Sequence, residues 1–222
     1  MGEMIQFVCP DGTQAPGYLA SPTDGQGPGL VVIQEWWGVN DQIKTTADRF
    51  AGQGFRALVP DLYRGKVAAD PDEASHMMTG LDWDHATLQD IQGAVSYLKS
   101  DGGKAGVMGF CMGGALTILA GIHVPDADAL VCFYGIPPAE AGDPSTIRSP
   151  FIGFFATQDD WCSPAAVQKL ESKFQAGNVK YEVHSYEAQH AFFNESRPEV
   201  FDATAAADTW ARSISFLKSN LG

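Results

Sequence analysis

The run Lys104-Ala105-Gly106-Val107-Met108-Gly109-Phe110-Cys111-Met112-Gly113-Gly114-Ala115 leaves the backbone little freedom. A short apolar stretch leads into a cysteine with glycine two residues to either side, and a small-residue, helix-compatible segment follows (Ala115 to Ile122). Only a sharp strand-to-helix turn uses glycine at both of those places, because the crowded turn has no room for Cβ atoms there. Such a turn lifts the central side chain clear of the chain. The helix opens just beneath it, so free amides and the helix dipole favour negative charge on the sulfur. A bland reading, a tight turn with a buried thiol, competes with a nucleophile at Cys111.

The flanking sequence supplies the sheet that such a turn needs. Ile5 to Val8 and Ala15 to Leu19 read as short strands joined by Pro10-Asp11-Gly12. Leu30-Val31-Val32-Ile33 is an unbroken apolar run, as expected of a central parallel strand. Further strands are expected at Phe55 to Val59, Ala129 to Tyr134, Phe151 to Ala156 and Lys180 to Tyr186. Between them the spacing predicts helices from an Asn40 cap to about Gln53 (ended by Gly54), over Asp72 to Gly80, over Asp84 to Lys99, over Pro164 to Gln175 and over Ala203 to Leu217. The Asp84–Lys99 helix would bury Leu88, Ile91, Ala94, Val95 and Leu98. This alternation implies an α/β fold, a mostly parallel seven- or eight-stranded sheet with helices on both faces, in one domain spanning 1–222.

Chemistry in such sheets gathers at the carboxyl ends of the strands. Glu35, Cys111, Asp159 and His190 each follow the end of an expected strand. Cys111, Asp159 and His190 also occur in the chain order nucleophile, acid, histidine, the order of α/β-hydrolases. A thiol attacks as thiolate and needs a base in reach; imidazole can take that proton and return it; a carboxylate behind the ring fixes its tautomer. Among the other histidines, His76 and His85 fall in middle helices, His123 ends a helix and His184 sits in mid-strand. Asp160 competes with Asp159 for the acid, and Asp159 is preferred. Glu35, between an apolar strand and Trp36-Trp37, is either a solvated loop carboxylate or a charge beside Cys111. In the second case the backbone amides of Trp36 and Met112 would form the oxyanion hole.

Composition narrows the partners. A formal charge of −13 argues against nucleic acid and anionic membrane surfaces. No secretory leader, membrane-spanning run or myristoylation pattern is read in the sequence, so a cytoplasmic protein is expected. The four cysteines have neither scaffold nor zinc spacing. Cys9, Cys132 and Cys162 are expected to be incidental free thiols.

At these residues the chain resembles the dienelactone hydrolase (carboxymethylenebutenolidase) family. The resemblance is carried by Gln34-Glu35-Trp36-Trp37-Gly38, Pro60-Asp61-Leu62-Tyr63-Arg64, Gly109-Phe110-Cys111-Met112-Gly113-Gly114, Gln158-Asp159 and His190-Ala191-Phe192. It implies the α/β-hydrolase fold and a triad of Cys111, Asp159 and His190. It implies further that Glu35 pairs with the resting thiol and helps deprotonate it. The reaction implied is hydrolysis of an enol-lactone through a thioester, without metal or cofactor. Substrate contacts are expected from Trp37, Tyr63, Phe192 and Phe193 as aromatic walls, from Arg64 or Arg197 as cations, and at Asn194. Asn194 stands where such members place an arginine for the substrate carboxylate, and Asp72 to Gly80 contains no arginine, so a neutral ester or lactone is expected. A monomer or weak homodimer is expected. The reading from another class is a redox-sensing thiol protein, and a general carboxylesterase or thioesterase lies between.

Overall fold

The structure, a computed structural model, describes residues 2–222. One eight-stranded sheet runs in the order β1-β2-β4-β3-β5-β6-β7-β8: β1 (Glu3–Val8), β2 (Gln14–Ala20), β3 (Gly29–Ile33), β4 (Arg56–Pro60), β5 (Ala105–Phe110), β6 (Ala129–Phe133), β7 (Phe151–Gln158) and β8 (Tyr181–Gln189). β1 pairs antiparallel with β2 and β2 with β4; every pairing from β4 through β8 is parallel. β3, β5 and β6 are buried along their whole length, which is why the sequence gives them unbroken apolar runs.

Helices cover both faces. α1 (Asp41–Ala51) and α7 (Ala203–Leu221) pack through Ile43, Phe50, Leu217 and Leu221 against one face. The other face carries α5 (Met112–His123), α6 (Pro164–Gly177) and a helical stretch made of α3 (Trp83–His85), a π-helical segment (Ala86–Ile91) and α4 (Gln92–Leu98). α2 (Pro71–Thr79) lies outside them, with Ala74 its one buried residue. Among the described residues, no helix is long and apolar enough to cross a membrane.

Three expectations need correction. α1 is capped by Asn40, whose Oδ1 accepts from the Ile43 amide at 3.1 Å, but it closes at Gly52 rather than Gly54. Leu88 is 39% exposed instead of buried. The π segment inserts a wider turn, burying Ala86, Asp90 and Ile91 while rotating Leu88 outward, which a plain 3.6-residue period does not anticipate. β7 and β8 also run on past Ala156 and Tyr186, pairing Gln158 with Gln189 after an irregularity. Both glutamines are exposed, so the apolar pattern stops before the strands do.

Candidate active site

β5 hands over to α5 at Cys111, whose φ of 55° and ψ of −117° no ordinary strand or helix residue adopts. Strain of this kind costs about 1–3 kcal/mol and persists where surrounding structure enforces it. Here the Cys111 amide donates to the Phe133 carbonyl (3.0 Å) and the Ala115 amide to the Cys111 carbonyl (3.1 Å). The flanking glycines are required: a Cβ on Gly109 would strike the Gly113 carbonyl, and one on Gly113 would strike the carbonyls of Ile33 and Gln34. Burial pushes the Cys111 thiol up. His190 pulls it down, Glu35 pushes it further up, and the Met112 amide supports the sulfur's charge.

Asp159 directly follows β7. Its Oδ1 accepts from the amides of Trp161 (2.8 Å) and Cys162 (3.0 Å), leaving Oδ2 for His190 Nδ1 at 2.7 Å. Burial alone would raise its pKa, but the bonds from His190 and the two amides hold the carboxyl below its usual range. Asp160 is exposed, and the imidazole bond goes to Asp159. His190 follows β8, ahead of Ala191, which takes a φ of 66°. Burial disfavours the charged ring, yet the bonds to Asp159 and the Cys111 sulfur outweigh it and raise the His190 pKa. His190 Nε2 is buried without a hydrogen-bond partner, and His190 and Cys111 line the same two cavities, so a free ring nitrogen is left on the thiol's side of the Asp159 bond.

Glu35 lies just past β3 and is 5% exposed. Asn194 Nδ2 donates to its Oε2 at 2.6 Å and the Tyr134 hydroxyl to its Oε1 at 3.2 Å. Asn194 Oδ1 is taken by the amide and hydroxyl of Ser196, at 3.0 and 2.6 Å, so its amide orientation follows from the network. Burial drives the Glu35 pKa up against the opposing pull of Asn194, His190, Tyr134 and Arg197. Tyr134, expected from the sequence only as the last residue of a strand, follows β6 with a φ of 37°. The strand-end rule that selected Glu35 applies to it equally, but an aromatic residue in an apolar run reads as core.

Two cavities meet at Cys111. One, of about 310 Å³, has Glu35, Trp36, Gln158, Asp160 and Arg197 on its wall; the other, of about 220 Å³, has Met78, Trp83, Ile136 and Pro138. Trp37 stacks edge-on against Trp36 (5.3 Å) but opens onto a neighbouring surface cleft. Five expected substrate contacts are corrected. Tyr63 is buried with its hydroxyl on Met112 Sδ (3.4 Å), behind the wall of the smaller cavity, and lines a separate cleft instead of either cavity. Arg64 borders that same cleft and is bound to buried Asp90 (2.7 Å). Phe192 is fully buried against Tyr134, and Phe193 against Phe110. Asn194 is 1% exposed and its amide is spent on Glu35 and Ser196. Arg197 does reach the polar cavity, with its Nε on Glu199 (2.8 Å). Among the described residues, no group of three or more His, Cys, Asp or Glu side chains is arranged to hold a metal ion.

Comparison with known proteins gives the chain's family and fold. Residues 15–221 match the model of the dienelactone hydrolase family. A protein of Aquifex pyrophilus called protein usf is 37% identical over 232 residues, covering 100% of both chains. A protein of Aquifex aeolicus provisionally named a carboxymethylenebutenolidase is 31% identical with the same coverage. The crystal structure of a provisionally named dienelactone hydrolase from Klebsiella pneumoniae superposes with a TM-score of 0.85 at 25% identity, covering 98% of this chain and 99% of that one.

Proposed function

Since the chain belongs to the dienelactone hydrolase family and is a hydrolase, we propose that it cleaves neutral lactones or small esters with Cys111 as nucleophile. The observation that carries this reading is the Asp159–His190 pair at 2.7 Å, whose remaining ring nitrogen is buried and unpartnered beside cavities that His190 shares with Cys111 on its strained strand-to-helix turn. The Cys111 proton passes to His190 Nε2 as the sulfur forms a bond to the substrate carbonyl carbon. The carbonyl oxygen takes the negative charge and is met by the amides of Trp36 and Met112. The carbonyl re-forms as the C–O bond to the leaving oxygen breaks, and His190 returns the proton to that oxygen. Water, giving a proton to His190, then attacks the thioester; the C–S bond breaks and the sulfur recovers its proton.

Glu35 sets the resting state. A carboxylate beside the sulfur disfavours thiolate, so the thiol stays neutral until substrate displaces that balance. The neutral-substrate reading is supported by the removal of Arg64 to another cleft and of Asn194 to Glu35. Arg197 at the polar wall supports a second reading, a substrate with a carboxylate. We place the protein in the cytoplasm, where its free thiols would stay reduced, and take it to act alone on a small molecule. Replacing Cys111 by Ala and assaying p-nitrophenyl acetate and a neutral lactone tests the proposal. Loss of both activities is expected, and full retention would overturn it. A preference for a carboxylate-bearing lactone beyond about a hundredfold, lost in Arg197→Ala, would favour the second reading.

A further inference from the structure

The two cavities at Cys111 share three residues, Cys111 itself, His190 and Trp161. Trp161 is the physical divider. Its backbone N–H is held by Asp159 Oδ1 at 2.8 Å, which fixes the main chain from which the indole projects to the same carboxylate that orients His190. Its ring stands edge-on to Trp36 (centroids 6.2 Å) and leans over His190 (6.0 Å). The residue is nonetheless 64% exposed, the most exposed large hydrophobic side chain among the described residues. An anchored indole left open to water beside a nucleophile is a surface prepared for a ligand.

The chambers it separates differ in chemistry. The larger presents Glu35, Gln158, Asp160 and Arg197, groups that keep water or bind polar substituents. The smaller presents Met78, Trp83, Ile136 and Pro138, with the thiol at its inner end. A compact lactone has its acyl and alkoxy sides tied in one ring and so occupies one chamber. An open-chain ester extends two arms from the carbonyl carbon, and two chambers meeting at the nucleophile fit two arms of unlike polarity.

We propose that this site is built for open-chain carboxylic esters with one apolar arm, seated among Met78, Trp83, Ile136 and Pro138, and one short or polar arm on the Glu35–Arg197 side, with Trp161 as the specificity-determining partition. This rests on Cys111 being the nucleophile. Each methylene that enters the apolar chamber raises kcat/KM by about fourfold, the equivalent of about 0.8 kcal/mol, until the chamber is full. Lengthening the other arm brings a smaller gain, because Glu35, Gln158, Asp160 and Arg197 make its chamber the more polar of the two.

Two ester series test the proposal with the full chain: p-nitrophenyl esters from acetate to hexanoate, and acetate esters of alcohols from methyl to pentyl. The expected result is a rise of about fourfold per methylene in one series and a smaller gain in the other. Met78→Trp, on the half-exposed α2, should cut the preference for the longest over the shortest member of the rising series by tenfold or more, mainly through KM. Ile136→Trp should do the same from the opposite wall. Trp161→Ala should erase the difference between the two series, and Trp161→Phe should restore part of it. Parallel trends in both series, or equal losses for short and long members in both Trp variants, would overturn the proposal. Cys111→Ala separates the two claims: activity persisting there sinks the nucleophile, whatever the chain-length pattern.

Discussion

Replacing Asn194 by Leu removes one donor from a buried carboxylate while keeping the side chain's approximate size. The lost contact is the 2.6 Å bond from Asn194 Nδ2 to Glu35 Oε2, between residues that are 1% and 5% exposed. A hydrogen bond to a charged group is worth about 1.5–3 kcal/mol net. Removing it therefore lifts the Glu35 pKa, already raised by burial, further still. The sign with pH follows. A carboxyl whose folded pKa lies above its unfolded value costs stability as pH rises through that window, since the folded state must release a proton it holds more tightly. The variant widens the window, so its deficit is larger at pH 8 than at pH 5. For a chain of this size about 2–4 °C accompany each kcal/mol, giving a melting point about 3–12 °C below the parent at pH 8. At pH 5 only a neutral hydrogen bond is lost, and the gap should shrink to about half. Thermal melts of both proteins at the two pH values make the measurement. A gap below about 1 °C, or one that is the same at both pH values, would refute an ionised Glu35 supported by Asn194.

Other outcomes follow from the same geometry. Glu35→Gln removes the charge that raises the Cys111 pKa, so iodoacetamide should alkylate the thiol faster than in the parent; equal rates would remove Glu35 from control of the sulfur. The rising limb of kcat/KM should lie above the ordinary histidine value of about 6.5, because Asp159 and the sulfur hold a proton on the pair. In Asp159→Asn the limb should move down toward that value while the rate falls, and an unmoved limb would show that Asp159 does not set it. His190→Ala should lower kcat/KM by about 10²–10⁴-fold; a variant within tenfold of the parent would place the base elsewhere.

How much of this was legible in the sequence depends on whether a feature repeats. The sheet was, because β3, β5 and β6 are buried on both faces and must be apolar throughout. The places of Cys111, Asp159, His190 and Glu35 were also legible, since each follows a strand end, and the Gly109 and Gly113 spacing admits one kind of turn. The π segment was not, because one extra residue in a helical turn leaves no local signature beyond an exposed Leu88. Tyr134 hid inside an apolar run, its hydroxyl the one part with a polar task. Trp161 carries no periodicity at all; only the fold brings it against Trp36 and His190. The aromatic pair Phe192-Phe193 misled for the opposite reason. Its rings follow His190 in sequence but turn into the core beside Tyr134 and Phe110.

The central claim is that a thioester forms on Cys111, and the most direct measurement is the mass of the enzyme quenched during turnover of a p-nitrophenyl ester. The account predicts an intact mass increased by one acyl group, mapped to the peptide that carries Cys111, released by hydroxylamine and absent from Cys111→Ala. An acyl group on any other residue, or turnover by Cys111→Ala at the parent rate, would contradict it.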